Sequence, residues 1–525
     1  MNALLVYPRY PDTFWSFRYA LKFVSKKASF PPLGLLTVAS MLPSSWQKRL
    51  VDLNVHALKA KDLEWADYVY VSAMAVQGKS AKEVIARAKA AGKKVVAGGP
   101  YFSTEYQTLT GVDHFVLDEG ELTLPPFLAD LAAGGAKPVY RSEQKPDLSQ
   151  TPVPDWSLID MHLYSSMNIQ FSRGCPFNCE FCDIVVLFGR KPRTKSAKQI
   201  LAELDALYDA GWRSALFFVD DNLIGNKRKL KEEILPAIIE WQQAKRFPFA
   251  LSTEASINIA DDEELLSLIT KAGFDTVFIG IETPNPESLA ECDKGQNENR
   301  DLVADVKKLQ RHGLQVQGGF IIGFDSDPAS IFKSQIDFIQ HSGIVTAMVG
   351  LLNAPPGTRL FKRLKAENRL IGDFAGDNTD CSLNFVPKMD RGSLIDGYKN
   401  VIDTIYSPKV YYERLKTFLL EYRPHPSHGA LKFRMQYIAT FLHCTWCLGL
   451  VEKERVYYWR LLSFTFFRKP RSFPLAVSFS IFGYHFRKTG EAYIKSLSSL
   501  TQPVAAKPPP VTKECVSKWT RQAAM

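Results

Sequence analysis

Four times in this chain a helical stretch ends on glycine and an apolar run follows within four residues. The junctions are Ala210-Gly211, Ala272-Gly273, His312-Gly313 and Ser342-Gly343, and the runs are Ala215–Val219, Thr276–Ile281, Val316–Ile322 and Thr346–Leu352. Glycine at the end of a helix takes the left-handed turn without a Cβ penalty. Apolar runs of strand length between helices read as strands of a parallel sheet covered on both faces. The helix over Ser196–Ala210 places Ile200, Leu201, Leu204, Leu207 and Tyr208 on one face. With Asn168–Ser172 and Phe249–Thr253 added, the pattern makes six β/α units. It predicts a (β/α)6 partial barrel over residues 167–372, with its site at the C-terminal ends of the strands.

The first 144 residues alternate in the same way. Short apolar runs stand at Ala3–Tyr7, Arg49–Leu53, Tyr68–Ser72, Lys94–Ala97 and His114–Leu117, with helical patterns between them, such as Ser80–Ala91 closing on Gly92. Five such strands predict a doubly wound, flavodoxin-like (Rossmann-type) sheet, with ligands beyond the strand carboxyl ends. That rim holds Pro8–Tyr10, Ser72–Val76, Gly98–Tyr101 and Asp118–Glu121, and Gly98-Gly99-Pro100 either lets backbone approach a ligand or only makes a turn. Residues 145–166 contain the proline-rich, polar stretch KPDLSQTPVPDW and read as a linker. Residues 373–497 lose the alternation and read as mainly helical, and the stretch from 498 to 525 reads as a disordered tail.

Charge separates these regions. The net charge is +10, and between Pro408 and Lys495 fifteen Lys/Arg face five Asp/Glu, so the rest of the chain is balanced. Basic character confined to one region points to an anionic surface or substrate there, and not to a nucleic-acid protein overall. The most apolar C-terminal run, Tyr437–Val451, is short for a bilayer span. Met1–Tyr7 reads as a strand and not as a secretory leader, so a reducing cytoplasmic setting is expected.

In that setting a cysteine cluster more often holds metal than a disulfide. The stretch FSRGCPFNCEFCDI spaces three cysteines as Cys175-x3-Cys179-x2-Cys182, directly after the first barrel strand. A structural zinc site asks for four ligands, and Cys444-x2-Cys447 could supply a second knuckle. A disulfide would leave an odd thiol. Three thiolates on an iron–sulfur cubane would leave one iron open to a ligand.

The spacing, with aromatic Phe181 before the last cysteine, resembles the signature of the radical S-adenosylmethionine (SAM) superfamily. The resemblance implies that Cys175, Cys179 and Cys182 hold a 4Fe-4S cluster whose open iron binds SAM, with Phe181 a cofactor contact. It further implies that Asp221, ending the second strand in FFVDDN, lies by the SAM amino group, and that Glu254 ends the third strand at the same rim. Glu282 in GIET would face the ribose, and Gly318-Gly319 would lie beside the adenine. A carboxylate suits a ribose because it accepts strong charge-assisted bonds from hydroxyls.

The N-terminal domain resembles the cobalamin-binding class, on Pro31-Pro32-Leu33-Gly34-Leu35, on Gly98, Gly99 and Pro100, and on Glu119-Gly120-Glu121. Gly98, Gly99, Pro100 and Glu121 are the cofactor contacts this implies. The D-x-H-x-x-G motif is missing, since His56 and His114 lack its context, so cobalt would have no histidine ligand from this domain. The stretches CDIVVLFGRKPR, ALSTEASINIA, FIGIETPNPESL and NAPPGTRLFKRL are similar to hopanoid C-2 methylases and relatives sharing their C-terminal domain. That similarity implies a cobalamin-dependent C-methyltransferase acting on an unactivated carbon of a hydrophobic or lipid substrate. A flavodoxin or ferredoxin would reduce the cluster.

Other readings of the same residues are a radical SAM oxidoreductase or cyclase, and a non-catalytic metal- or lipid-binding protein. A methylthiotransferase usually carries three further N-terminal cysteines, and none precedes Cys175. The segment YYWRLLSFTFFRKPRSF suits either a peripheral membrane contact or a helical cover over the barrel.

Overall fold

The computed structural model describes residues 1–377, 379–380, 382–424 and 435–500. Cys381, and the tail beyond residue 500 that was read as disordered, lie outside the described residues.

The N-terminal domain runs β1 (Asn2–Tyr7), α1 (Leu33–Met41), β2 (Gln47–Asp52), α2 (Ala60–Trp65), β3 (Tyr68–Ser72), α3 (Gly78–Ala90), β4 (Lys94–Gly98), α4 (Pro100–Glu105), β5 (His114–Val116), α5 (Gly120–Ala132) and β6 (Val139–Tyr140). Every pairing is parallel and the order is β2-β1-β3-β4-β5-β6. The chain reverses direction across the sheet between β1 and β3, where ligands of such sheets collect. Ala3 to Val6 are fully buried, as a strand covered on both faces requires. Helix α3 lays Ala81, Val84, Ile85 and Ala88 on the sheet, and Gly92 after it has φ +68°. The sixth strand was not expected, because two residues are too few to show a pattern.

Residues 145–166 are no free linker. Asp147, Asp155 and Asp160 each accept a bond from the backbone N–H two residues on, making three tight turns. Leu148, Trp156 and Tyr164 are buried between those turns. The polar residues were visible in sequence, but they serve turns that set three apolar anchors in place.

The second sheet contains β7 (Met167–Ile169), β8 (Ala215–Phe218), β9 (Ala250–Glu254), β10 (Phe274–Glu282), β11 (Gln315–Ile322) and β12 (Ala347–Leu351), all parallel and in sequential order. Helices α6 (Ala197–Asp209), α7 (Leu235–Ala244), α8 (Glu263–Lys271), α9 (Leu302–Arg311) and α10 (Ile331–Ser342) cover one face, and α11 (Arg359–Ala366) follows β12. Gly211, Gly273, Gly313 and Gly343 all have positive φ. Strand β7 stops short of the predicted Ser172. The Asp220 carboxylate accepts the N–H of Phe171 and of Ser172, which removes both from the ladder and turns the chain into the cysteine loop.

Helices α12 (Arg391–Ile405), α13 (Pro408–Glu421), α14 (Met435–Trp446), α15 (Arg455–Arg468) and α16 (Phe473–Leu500) form the C-terminal layer. Helix α16 runs to Leu500, past the boundary placed at 497. Among the described residues no helix is long and apolar enough to cross a membrane. The N-terminal segment between β1 and α1 runs between α16 and the second sheet. Phe14 stacks on Phe486 at 4.2 Å, while Trp15 meets Phe278 at 5.6 Å and bonds the Met348 sulfur at 3.0 Å.

Candidate active site

The cysteine loop begins with a turn only glycine can make. Gly174 has φ +92°, and a Cβ there would lie 2.8 Å from the Gly189 carbonyl. Its N–H donates to Asp221 Oδ2 at 2.8 Å, so Asp220 and Asp221 together fix the start of the loop. Burial pushes Asp220 up to about 7 and Asp221 up to about 6.

Cys175, Cys179 and Cys182 are unpaired and partly exposed. Burial raises the Cys175 and Cys182 thiols. Groups that favour the thiolate oppose it: the Phe177 N–H, Asn222 and Lys294 at Cys175, the Ile184 N–H and Lys294 at Cys182. Asn222 Nδ2 stands 3.8 Å from Cys175 Sγ, and Gln296 Nε2 3.8 Å from Cys179 Sγ. Three thiols ringed by donors fit a cluster that binds thiolate and whose metal charge would deprotonate them. Among the described residues no three His, Cys, Asp or Glu side chains converge on a single ion, whereas thiolates of a cubane each take a different iron. Cys292 is buried and points its sulfur at the Leu289 carbonyl. Cys444 is buried in the C-terminal helices, not beside the loop.

The other residues named from the sequence sit along the same rim. Glu254 ends β9, and burial, then the charges of Asp221 and Asp220, push it up to about 8. Glu282 ends β10 with φ +63° and is not free: Lys294 Nζ donates to it at 2.6 Å. Lys294 also lies 6.0 Å over the Phe181 ring. Gly319 leaves room for the Phe278 ring, which a Cβ would meet at 2.8 Å, and Gly318 for Phe320 and Ile344. Both glycines therefore have packing reasons of their own.

A cavity of about 310 Å³ opens between the rims of the two sheets. The N-terminal domain lines it with Ser72, Gly98, Gly99 and Pro100, and the barrel with Gln170, Arg173 and Val219. Gly99 has φ +93° and its Cβ would strike Ser72 Oγ at 2.5 Å; a Cβ on Gly98 would strike the Val116 carbonyl. Turn and ligand approach thus ask for the same residues. Among the described residues, no histidine lines the cavity. Tyr70 does line it, 3% exposed, and its hydroxyl has no hydrogen-bond partner among the described residues. A buried donor without a partner, on a side chain in a cavity wall, fits a ligand that accepts there.

Glu121 lines the same cavity and is also held by the barrel side. It pairs with Arg173 at 2.9 Å and accepts from Thr151 at 2.7 Å. Burial works to raise it, and Arg173 holds it below the usual carboxylate range. Glu119 pairs with the same Arg173 at 2.9 Å and with Arg193 at 2.8 Å. The Glu-Gly-Glu turn therefore ties the N-terminal rim to the chain just before Cys175. Lys294, Gln296 and Tyr70 were not singled out in sequence; Arg173, Arg193 and Asn222 lie inside stretches quoted above but were given no separate role there.

Three family models match the chain: a B12 binding domain over residues 24–128, the radical SAM superfamily over 169–338, and a domain of unknown function, DUF4070, over 358–499. An uncharacterised methyltransferase of Synechocystis sp. is 44% identical over 418 residues, covering 79% of this chain and 78% of that protein. The hopanoid C-2 methylase of Rhodopseudomonas palustris is 35% identical over 418 residues, with the same shares of each. In fold, the chain resembles the radical S-adenosylmethionine methyltransferase TsrM from Kitasatospora setae, solved with cobalamin and a 4Fe-4S cluster, at a TM-score of 0.55 and 16% identity over 70% of this chain and 78% of that one. With domains in this order and relatives this similar over most of both chains, the chain belongs to the radical SAM superfamily, as a cluster-, SAM- and cobalamin-dependent enzyme of the B12-binding family that includes hopanoid C-2 methylase.

Proposed function

We propose that this enzyme moves a methyl group onto an unactivated carbon of a hydrophobic, lipid-like substrate such as a hopanoid. The observation that carries the reading is the shared cavity, which sets the glycine rim of the B12 domain against the barrel rim beside the cysteine loop. When bound, the cluster with SAM supplies radical chemistry and cobalamin carries the methyl group.

The chain's own residues do the holding. Cys175, Cys179 and Cys182 ligate the cluster and leave one position without a protein ligand. Lys294 and the loop N–H groups stabilise thiolate charge there. Glu254 and Asp221, both pushed up by burial and Glu254 further by the Asp221 charge, would receive the SAM ammonium, whose charge would relieve their repulsion. Phe181, Glu282 with Lys294, and Gly319 border SAM; Gly318 supports them by letting Phe320 and Ile344 pack. Gly98, Gly99 and Pro100 bring backbone to cobalamin. Glu121 borders cobalamin beside them and holds Arg173. Phe278, Met348 and Phe217, on the face opposite the helices, with Trp15 and Phe30 against them, give an apolar substrate its wall. A flavodoxin or ferredoxin delivers electrons, and the lipid substrate sets the enzyme to work at the inner face of a membrane.

Anaerobically purified protein is expected to hold about four iron atoms per chain and to retain cobalamin. Cys179→Ala is expected to lose the iron while keeping cobalamin, because the cysteine lies outside the Gly98–Pro100 rim. Label from methyl-labelled SAM should appear in a lipid extract one methylene heavier than its precursor. Colourless protein carrying stoichiometric zinc, or cobalamin-loaded protein that transfers no label, would overturn the reading.

A further inference from the structure

The C-terminal layer presents an apolar face to solvent. Leu442 and Trp446 stand out from α14, and Leu450 and Val451 from the turn after it. Val456, Trp459, Phe466 and Phe467 stand out from α15, whose other side buries Tyr458, Leu461, Leu462 and Thr465. Phe467 is 80% exposed and Trp446 65%, far more than aromatic side chains on a monomer's surface usually are. The two helices present one surface. Trp459 Nε1 donates to the Gly449 carbonyl at 3.0 Å, and Phe473 joins Phe466 of α15 to Phe441 of α14, at 6.4 and 5.8 Å.

Charge selects the occupant. Between Leu442 and Phe473 the sequence has two carboxylates, Glu452 and Glu454. Both turn inward to Arg487 of α16, at 3.0 and 2.8 Å, and Glu452 also to Lys488 at 3.4 Å. The outer face keeps Lys453, Arg455, Arg460, Arg468 and Arg471, all exposed. Exposed aromatics and aliphatics among cations, with no outward carboxylate, match the boundary of an anionic bilayer, where rings settle at headgroup depth and cations meet phosphates. A second copy of the chain would bring like charge against like charge. A spanning mode is not available to these helices.

We infer that the α14–α15 face docks this enzyme on an anionic lipid bilayer. The face adjoins the path to the site. Helix α14 packs on the segment between β1 and α1, through Phe23 against His443 at 4.7 Å and Thr440 bonded to the Phe23 carbonyl at 3.3 Å. That segment continues to Phe30, which meets Phe217 of β8 at 5.3 Å. Docking there brings bilayer lipid to the segment lying over the barrel. Only the purpose of docking rests on the lipid-substrate reading; the binding is independent of turnover.

The test uses the full-length, cluster-loaded protein and sedimentation with vesicles of phosphatidylcholine, alone or mixed with phosphatidylglycerol. Binding is expected to the mixed vesicles and to weaken with salt. Trp446→Ser with Phe467→Ser should cut it by more than tenfold, with iron content and thermal midpoint unchanged. Arg455→Gln, Arg460→Gln and Arg468→Gln together should lower it about a hundredfold, at roughly 1 kcal/mol per cation near an anionic surface. No binding to mixed vesicles, or equal binding by parent and variants, overturns the inference. So does a parent dimer in light scattering that the serine variants return to monomer, which assigns the face to self-association. If vesicles bind and no methyl group is ever transferred, the docking stands and the substrate reading falls.

Discussion

At the residue scale, Tyr70 sets a buried hydroxyl in the wall of the shared cavity. A phenol moved from water into an apolar wall without a partner costs about 1–3 kcal/mol, and the Tyr70 hydroxyl has none among the described residues. Tyr70→Phe removes that cost from the free chain and a donor from the loaded one. The free protein should unfold at an equal or higher midpoint, and the cobalamin dissociation constant in equilibrium dialysis should rise about tenfold, the worth of one buried hydrogen bond. Unchanged affinity would mean that the hydroxyl never meets the cofactor. At this scale the sequence spoke unevenly. The cysteines and Gly98-Gly99-Pro100 could be read because spacing and backbone freedom are local properties. The pairing of Glu121 with Arg173 could not, because it joins residues 52 apart across two domains and no periodicity marks it. Lys294 escaped for the same reason: its partner Glu282 stood out, but the lysine that neutralises it lies on the next loop.

Elements were more legible than their ends. Strands fell where apolar runs predicted, and helices stopped at their glycines. Strand β7 came out short because a side chain just past β8, Asp220, competes for the amides that follow it. Helix α16 holds a second such contact, with consequences for pH. His485 Nε2–H donates to the Phe14 carbonyl at 2.9 Å, and Thr489 stands 3.4 Å from Nδ1. Burial pulls the imidazole down to about 4, against the opposing bond to Phe14 and the charge of Asp12. At neutral pH the imidazole is largely uncharged in both the folded and the unfolded chain and keeps its Nε2–H, so the contact is at full strength. Between an unfolded histidine pKa of about 6.5 and 4, the unfolded chain takes up a proton that the folded one refuses, and stability falls as acid is added. At pH 5 the loss is roughly 2 kcal/mol. His485→Gln keeps a donor and does not titrate. In urea unfolding followed by circular dichroism it should lose about 2 kcal/mol less than the parent between pH 7 and pH 5. Equal losses in both chains would remove His485 from the account.

At the scale of the whole molecule, both α/β units were legible and their meeting was not. Each unit repeats a local pattern, but they meet through pairs such as Glu121 with Arg173, and the N-terminal segment over residues 13–24 is held by a helix that starts at Phe473. Phe14 lies flat on Phe486, 4.2 Å away at 5° between ring planes. Phe17 lies against His485 and Phe482 at 5.3 Å each. On its other side the segment sets Trp15 on Phe278 and Met348. Helix α16, the last among the described residues, therefore holds down the stretch that lies over the barrel, beside the wall proposed for the substrate. Phe14→Ala and Phe486→Ala should each cost about 3–5 kcal/mol as buried aromatic deletions. Made together they should cost less than their sum by about 1 kcal/mol, the coupling of a stacked pair. Amide hydrogen exchange over residues 13–24 reads this directly, because loss of either ring frees the same segment. Strictly additive losses would show that Phe14 is held by Trp15 and the sheet alone, with α16 a bystander.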